Sequence, residues 1–360
     1  MRVPWRPPII VAALLALGAC GGGGDDANDD DGLGPLAELM GWMPQEPAEA
    51  RRQQLEVEEQ VADCMRAEGW EYEPVDWSAQ MPDVDEEDIT LAMTDPTAYG
   101  EKYGYGVVYN YETNEATALE NGDDPRMGVG EEFEDPNADY VGSLSEDERT
   151  EYYASLYGEQ SFDEVDEDED GVLQMPSLDE QGCQGQAQLS VYGEQPYDNP
   201  DIQQRMTDYY ESLQDDPQLL ATFADWADCM GEDLDGLEAG GEPVERPDQM
   251  WTVFEERKMT AMGLEPEPVE STDEWTEDTY TMTGGDAEGN GGYAWKGTPE
   301  AIDDADLEAL RADELEAWKT DAECQDETGV RDRQRAIEEQ FADELKAEFP
   351  ELSDARTGES

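Results

Sequence analysis

The tetrapeptide Ala62-Asp63-Cys64-Met65 recurs as Ala227-Asp228-Cys229-Met230, and each copy lies near the end of a predicted helix. Further along the chain, Cys183-Gln184 recurs as Cys324-Gln325. The order of these four elements favours two related halves, each with a Cys-Met element, a long variable insert and a Cys-Gln element. A chance recurrence, or a shared helical context, is the alternative explanation for so short a repeat.

The N-terminal segment has the pattern of an export signal. Arg2 and Arg6 give it a positive start, and the apolar stretch from Ile9 to Leu17 has about ten residues, too few to span a bilayer, which needs roughly 20. The segment closes with Gly18-Ala19-Cys20. It resembles a bacterial lipoprotein signal, whose cysteine is diacylated and becomes the mature N-terminus. We therefore predict lipidation of Cys20 and an anchor on the outer face of the cytoplasmic membrane, where two acyl chains suffice for stable attachment.

The remaining four cysteines are those of the repeat. An even number of cysteines in an exported chain predicts two disulfides, and four cysteines allow three connectivities. The repeat favours Cys64–Cys183 and Cys229–Cys324 over the other two pairings. In the chain-entropy model, closing loops of that size would stabilise the folded state by up to about 4–5 kcal/mol each.

The charge of the chain limits its partners. It has 95 acidic and 20 basic residues and no histidine, a net charge of −75. Cleavage before Cys20 removes Arg2 and Arg6 and no acid, so 95 acidic and 18 basic residues remain, a charge of −77. Nucleic acid is excluded as a partner, because phosphate binding depends on clustered Lys and Arg. The body is repelled by an anionic membrane and attracts cations non-specifically. We interpret this acidity as an adaptation to salt, with specific cation binding as the alternative.

Composition also predicts how the chain is organised. The 9 Trp, 16 Tyr and 6 Phe argue against global disorder, because disordered chains are poor in aromatic residues. We predict a mainly α-helical, disulfide-linked body with minor β structure and long acidic, Gly-rich loops. The predicted segments are a lipoprotein signal peptide (1–19), a flexible acidic, Gly-rich tether (20–45), a first half (46–197), a second half (198–350) and a disordered tail (351–360).

Helix signals outnumber strand signals. In residues 306–327, Leu310, Ala317 and Cys324 share one helix face. Caps, first-turn prolines and apolar spacing predict helices over residues 47–68, 145–157, 200–213, 217–230, 247–262, 306–327 and 337–349. Strands are predicted only over Trp70–Val75 and Tyr103–Tyr111. Loops are predicted over residues 112–142, 159–181 and 264–298, and we least expect packing in residues 283–297.

One acidic run matches the opening of a calcium-binding loop. Asp166, Asp168 and Asp170 alternate, and Gly171 follows them, as in an EF-hand. The twelfth position is Ser177 rather than glutamate, and no helix is predicted to flank the loop. We therefore expect a solvated acidic linker, with a bound Ca²⁺ as the alternative and no other cofactor.

Tyrosines recur in the segment Tyr103-Gly104-Tyr105-Gly106, which Tyr109 and Tyr111 follow. Such rings are able to form an aromatic platform for sugars. The alternative, which we favour, is a turn and a strand whose tyrosines pack on the core and keep their hydroxyls in water.

Residues for catalysis are scarce. Without histidine there is no Ser-His or Cys-His pair and no histidine-bearing zinc site. None of the five lysines belongs to a Ser-x-x-Lys motif. Paired carboxylates occur in every region, so none can be singled out. We predict no catalytic residue and no enzyme activity.

Several short segments together resemble a family of uncharacterised actinobacterial lipoproteins. They are Cys64–Tyr72 (Cys-Met-x-x-x-Gly-aromatic-x-Tyr), Tyr103–Gly106 (Tyr-Gly-Tyr-Gly), Tyr152–Gly158 (Tyr-Tyr-x-x-Leu-Tyr-Gly), Gly182–Gly185 (Gly-Cys-Gln-Gly) and Asp321–Cys324 (Asp-x-x-Cys). The resemblance implies export, disulfides and a helical body, and it carries no activity. The chain departs from the pattern after its second Cys-Met, where Gly231–Leu234 lacks the glycine-aromatic ending.

Our leading hypothesis is a lipid-anchored, non-catalytic envelope protein that binds or scaffolds an envelope protein or a glycan outside the cell. One alternative is a solute-binding lipoprotein of a transporter, a role that usually needs two α/β lobes. A cell-wall hydrolase is a less favoured alternative.

Overall fold

The protein forms two compact units. The computed structural model describes residues 34–40, 47–76, 88, 91–92, 94–122, 125, 135–158, 177–193, 195–196, 199–268, 279–283 and 293–354. The described residues of Gln45–Met81 and Gly130–Thr207 form one unit, called here the Cys64 unit. Those of Met1–Pro44, Pro82–Val129 and Asp208–Ser360 form the other, called the Cys229 unit. The predicted halves do not follow this division, since residues 82–129 belong with the second pair of cysteines.

Helices make up most of the described chain, which confirms the predicted fold class. The α-helices are α1 (Pro35–Leu39), α2 (Pro47–Glu68), α3 (Pro96–Tyr103), α4 (Val107–Asn110), α5 (Ala116–Asn121), α6 (Ala138–Ser143), α7 (Glu146–Tyr157), α8 (Gly182–Tyr192), α9 (Pro200–Asp215), α10 (Pro217–Met230), α11 (Gln249–Ala261), α12 (Asp304–Thr328), α13 (Val330–Glu348) and α14 (Glu351–Asp354). A π-helical turn, Tyr111–Glu115, joins α4 to α5, and 3₁₀ turns cover Leu178–Glu180 and Gly231–Leu234. Among the described helices, none is both long and apolar enough to cross a membrane.

In the Cys64 unit, α2 packs against α8, and α7 packs against both. Val57, Val61 and Met65 recur every fourth residue of α2 and are buried, so one face of the helix enters the core. The predicted capping box starts α7, since the Ser145 hydroxyl and the Glu148 side chain satisfy each other's backbone N–H groups. The sequence did not predict α8.

A close backbone contact explains the second glycine of the Gly-Cys-Gln-Gly segment. A Cβ atom on Gly185 of α8 would lie 1.8 Å from the carbonyl oxygen of Leu178. The 3₁₀ turn that precedes α8 therefore approaches it too closely for any side chain at this position.

In the Cys229 unit, α10, α11, α12 and α13 surround the larger core. The Asp216 carboxylate caps α10 by accepting the N–H groups of Gln218 and Leu219, as the Asp-Pro signal predicts. Arg333 of α13 donates to the same carboxylate at 2.8 Å. The buried face of α10 consists of Leu219, Phe223, Trp226 and Met230.

A three-stranded antiparallel sheet lies where we predicted a loop, so the prediction for residues 264–298 is wrong in part. Its strands are β3 (Glu265–Pro268), β4 (Thr279–Thr283) and β5 (Tyr293–Lys296), with β5 central, and a two-stranded ribbon pairs β1 (Glu238–Ala239) with β2 (Glu242–Pro243). Trp295 is 3 % exposed and belongs to the same buried cluster as Met259 and Met262. Strands of four or five residues between Gly-rich segments are too short to show alternation in the sequence.

Neither predicted strand forms. Residues 70–76 form no regular secondary structure, and side chains bind their backbone instead of a partner strand. Asn137 accepts the Glu73 N–H at 2.7 Å and donates to the Glu73 carbonyl at 3.0 Å. The Glu58 carboxylate accepts the Val75 N–H at 3.1 Å. Residues 103–111 instead contain the end of α3, a turn and α4.

Three further predictions are wrong in part because apolar residues pack where we expected loops or tails. Within the predicted tether, Leu36, Leu39 and Met40 are buried on or beside α1, and the Leu36 N–H binds Glu338 of α13. Within the predicted tail, Leu352 of α14 is 4 % exposed. Within the predicted loop 112–142, helical residues 112–121 and 138–143 pack through apolar side chains such as Ala118 and Val141.

Candidate functional site

Both predicted disulfides are present. Cys64 bonds to Cys183 with a Cα–Cα distance of 5.6 Å, and Cys229 bonds to Cys324 with a Cα–Cα distance of 5.7 Å. Each bond lies within one unit and joins two helices. Cys20 and the acidic run of Asp166, Asp168 and Asp170 lie outside the described residues, so their predicted roles stay predictions.

The two Cys-Met elements match in structure, but the two Cys-Gln elements do not. Cys64 and Cys229 both lie near the C-terminal ends of their helices, and each is followed by a buried methionine. Cys183 is near the start of α8, whereas Cys324 is near the end of the long helix α12. The predicted duplication therefore finds support in the first element alone.

The Tyr-Gly-Tyr-Gly segment forms a tight turn between α3 and α4. Gly104 and Gly106 have φ angles of +66° and +81°, a region that glycine adopts without strain. A Cβ atom on Gly104 would lie 2.8 Å from Cγ of Glu314, and one on Gly106 would lie 2.7 Å from the Tyr99 hydroxyl. Both glycines are thus required by backbone conformation and by close contact.

A buried carboxylate of α12 holds this turn. The side chain of Glu314 is 1 % exposed and accepts the N–H of Val107 at 2.8 Å and that of Val108 at 3.0 Å. These donors are the first N–H groups of α4, which no helical carbonyl can satisfy. Burial raises the pKa of Glu314 to about 7, against the opposing effect of the backbone N–H bonds.

A second buried carboxylate lies two turns further along α12. Asp321 accepts hydrogen bonds from the Trp226 indole N–H and the Tyr105 hydroxyl, both at 2.9 Å, and from the Gln325 amide at 2.8 Å. Burial raises its pKa, while these three donors lower it. The Tyr105 ring stacks on Phe254 with 5.5 Å between centroids. Glu314 and Asp321 together fix the backbone and the side chain of one turn.

On the other side of the turn, tyrosines surround Asp88. The Asp88 carboxylate accepts hydrogen bonds from Lys102 and the Tyr103 hydroxyl, both at 2.6 Å, and from the Tyr109 hydroxyl at 3.2 Å. The hydrogen bond from Lys102 is the main cause of a lowered Asp88 pKa. The rings of Tyr103 and Tyr109 lie 4.1 Å apart, and Tyr99 is 5.1 Å from Tyr103.

These contacts contradict part of each interpretation of the tyrosines, the sugar platform and the core-packed rings with hydroxyls in water. Tyr111 is 1 % exposed, and its hydroxyl accepts the N–H of Ile302 at 2.7 Å. Tyr105 also packs in the core, so these two rings are not available to a sugar. The hydroxyls of Tyr103, Tyr105, Tyr109 and Tyr111 are bonded within the protein rather than left in water.

A buried lysine forms a third polar group in the Cys229 unit. Lys258 of α11 is 4 % exposed, and its ammonium lies 2.7 Å from Glu255 and 2.9 Å from Glu115. Burial opposes its charge, but the two carboxylates raise its pKa above the usual value. The Tyr280 hydroxyl donates to Glu115 at 3.2 Å, which connects the π-helical turn to the sheet.

The chemistry of this site is that of a fixed polar framework. The buried carboxylates of Glu314 and Asp321 accept hydrogen bonds from within the protein. Among the described residues, no group of three His, Cys, Asp or Glu side chains is arranged to hold a metal ion. Sequence reasoning missed Glu314, and it noted Asp321 only within the Asp-x-x-Cys segment, without a role. The seven-residue spacing of these two acids repeats that of Leu310 and Ala317, and this spacing is the signal from which the pair could have been found.

Comparisons with known proteins add no family to this description. No family model, curated protein or solved structure matches the chain.

Proposed function

We propose that this chain is a lipid-anchored, extracytoplasmic envelope protein that binds or scaffolds a partner and does not catalyse a reaction. The observation that carries the proposal is the pair of disulfides, one in each unit. Disulfides persist in oxidising compartments outside the cytoplasm and are rare within it. They support the export that the N-terminal segment predicts.

The cysteine count supports the anchor independently. The chain has five cysteines, and the two disulfides use four of them. The fifth, Cys20, stands at the position where a lipoprotein signal is cleaved and acylated. No other cysteine of the chain remains for such a role.

The acidic composition supports a position away from the lipid surface. The charge of −77 on the mature chain repels anionic headgroups, so attachment through acyl chains on Cys20 holds the body near a membrane that it does not touch. A protein placed in this way is exposed to partners in the envelope. The resemblance to actinobacterial lipoproteins is part of the same proposal.

The solute-binding alternative is less consistent with the fold. Such proteins usually need two lobes with alternating strands and helices. The described strands have two to five residues and form two small antiparallel groups, β1–β2 and β3–β5–β4. The cell-wall hydrolase alternative would be supported by turnover of peptidoglycan by the purified protein.

Lipidation is tested in cells that express the chain. We expect a palmitate analogue to label the wild-type protein and the label to co-sediment with membranes. Cys20→Ser should abolish labelling and release the protein, whereas the neighbouring change Gly24→Ser should not. Labelling of the Cys20→Ser protein would contradict the anchor.

Binding is tested by a pull-down from intact envelopes at low and at high salt. A scaffold should retain a defined partner at both salt concentrations, whereas contacts due to bulk charge are lost when salt screens them. Recovery of no partner above a control lipoprotein under either condition would contradict the binding role.

A further inference from the structure

The Cys64 unit carries a partly exposed cluster of aromatic side chains on α7. Tyr153 is 44 % exposed, which makes it one of the most exposed large hydrophobic residues described. Its ring lies nearly parallel to that of Tyr157, one turn further on, with 6.2 Å between centroids and 13° between planes. Together these two residues are called the tyrosine pair.

A rigid layer supports the tyrosine pair from below. Tyr152 is 1 % exposed and contacts Tyr153 edge-to-face at 5.5 Å. Trp70 and Tyr140 contact Tyr152 in the same geometry, at 5.7 and 6.1 Å. The Trp70 indole N–H donates to the Ser155 hydroxyl at 3.0 Å. Rings held in this way lose little conformational freedom on binding, which favours recognition.

The charges around the tyrosine pair are mostly negative. Burial raises the pKa of Tyr157 to about 12, and the charges of Glu58 and Asp135 act on it in the same direction. The first turn of α7 adds the acidic residues Glu146, Asp147 and Glu148. Arg149, the one basic residue of α7, directs its guanidinium to the carbonyl of Leu144 at the start of the helix.

We propose that the tyrosine pair is a docking surface for a Lys or Arg side chain of a basic partner protein. A cation over a tyrosine face is attracted by the electron-rich ring, and the acidic residues Glu146, Asp147 and Glu148 belong to the same helix. The charge of −77 would raise the rate of encounter with such a partner. The inference rests on the proposed binding role and names the chemical class of its partner.

Charge complementarity favours a cation over a sugar. Sugar stacking also uses aromatic faces, but it gains nothing from the negative charge of the chain or from the acidic first turn of α7. A cationic side chain gains from the aromatic face and from the negative charge. We therefore argue for the protein partner and make the glycan an outcome of the test.

The test uses the mature chain and a nine-residue peptide of alternating Arg and Gly, with a citrulline version as the uncharged probe. Titration calorimetry at about 0.15 and 0.5 M NaCl separates local contacts from bulk attraction, because salt screens exposed charges. We expect the arginine peptide to bind and the citrulline peptide to bind at least tenfold more weakly.

Variants locate the site. Tyr153→Leu should weaken binding of the arginine peptide by about three- to fivefold, the range of an exposed cation–π contact. Tyr153→Phe keeps the ring and should bind as the wild type does. Tyr192→Leu is the matched control, since Tyr192 is 40 % exposed and belongs to the same unit, and it should have no effect.

Three results would overturn the inference. In the first, Tyr192→Leu weakens binding as much as Tyr153→Leu does. In the second, Tyr153→Leu has no effect at the higher salt concentration. In the third, an N-acetylglucosamine oligomer binds in a Tyr153-dependent manner and the arginine peptide does not. None of these results would alter palmitate labelling or the envelope pull-down, so failure here is distinguishable from failure of the proposed function.

Discussion

At the scale of single residues, the buried carboxylate of Glu314 has the most distinctive chemistry. It replaces the capping side chain that α4 lacks, because the residue before that helix is Gly106 and has no side chain to donate or accept. Burial raises its pKa to about 7, and the nearby Glu255 adds to the shift. The turn that it holds is therefore sensitive to protonation.

The raised pKa predicts how stability depends on pH. The folded state keeps a proton on Glu314 up to about pH 7, whereas the unfolded chain releases it near 4.5, so the stability from this group falls across that window as pH rises. This difference between the folded and unfolded pKa values corresponds to a loss of about 3 kcal/mol in the free energy of unfolding. Glu314→Gln should remove this part of the pH dependence and lower stability by about 1–3 kcal/mol, because the amide turns one donor toward a backbone N–H.

Urea unfolding at pH 5, 6 and 7.5 measures the effect. Glu316→Gln, an exposed change on the same helix, is the control. It should keep the wild-type slope of unfolding free energy against pH. If Glu314→Gln and the wild type have the same slope of unfolding free energy against pH, the raised pKa does not belong to Glu314.

The turn glycines give a second prediction. Gly104→Ala should destabilise the Cys229 unit by about 2 kcal/mol or more, because it combines a positive φ with a Cβ atom 2.8 Å from Glu314. Gly122→Ala is the matched control, since Gly122 has a φ of +80° but no atom within 4 Å of its Cβ position, and it should cost about 1 kcal/mol. Equal losses of thermal stability would show that contact with Glu314 is unimportant.

At the scale of elements, what the sequence could predict depended on how local each signal is. The helices α2, α7, α10 and α12 have caps, prolines or apolar stripes within their own residues, and all were predicted. The strands β4 and β5 bury Tyr280 and Trp295 in the cluster that also holds Met259, Met262 and Leu264, and β3 is exposed along its length, so no short window reveals the sheet. The role of Glu314 was missed for a similar reason, since the backbone N–H groups that it accepts lie about 200 residues away in the sequence.

The disulfides were predictable because they follow the order of the repeat rather than any local pattern. Each should stabilise its own unit, by up to about 4–5 kcal/mol in the chain-entropy model. Replacing both Cys64 and Cys183 by Ala should accelerate amide hydrogen exchange in α2 and α8. Replacing both Cys229 and Cys324 should do so in α10 and α12, and each pair serves as control for the other. Uniform acceleration in both units by either replacement would contradict two separate compact units.

At the scale of the whole molecule, the charge of −75 dominates. Packing of α1 shows that residues 35–39 do not belong to the predicted flexible tether. Self-repulsion within the body costs stability when salt is low.

Salt should therefore stabilise the protein. We expect the main thermal transition to rise by at least about 5 °C between 0.05 and 1 M NaCl, because screening relieves repulsion. Tetramethylammonium chloride at equal ionic strength should act in the same way, and micromolar CaCl₂ should have no effect. A rise with micromolar calcium that Asp168→Asn abolishes would instead establish the calcium loop.

The central claim is an exported, disulfide-bonded and lipid-anchored chain, and the intact mass of the protein from native membranes tests it most directly. The sample is alkylated without reduction before measurement. We expect a chain that begins at Cys20, carries acyl groups there and has no alkylated cysteine. A chain that still begins at Met1, or one with alkylated Cys64, Cys183, Cys229 and Cys324, would contradict it.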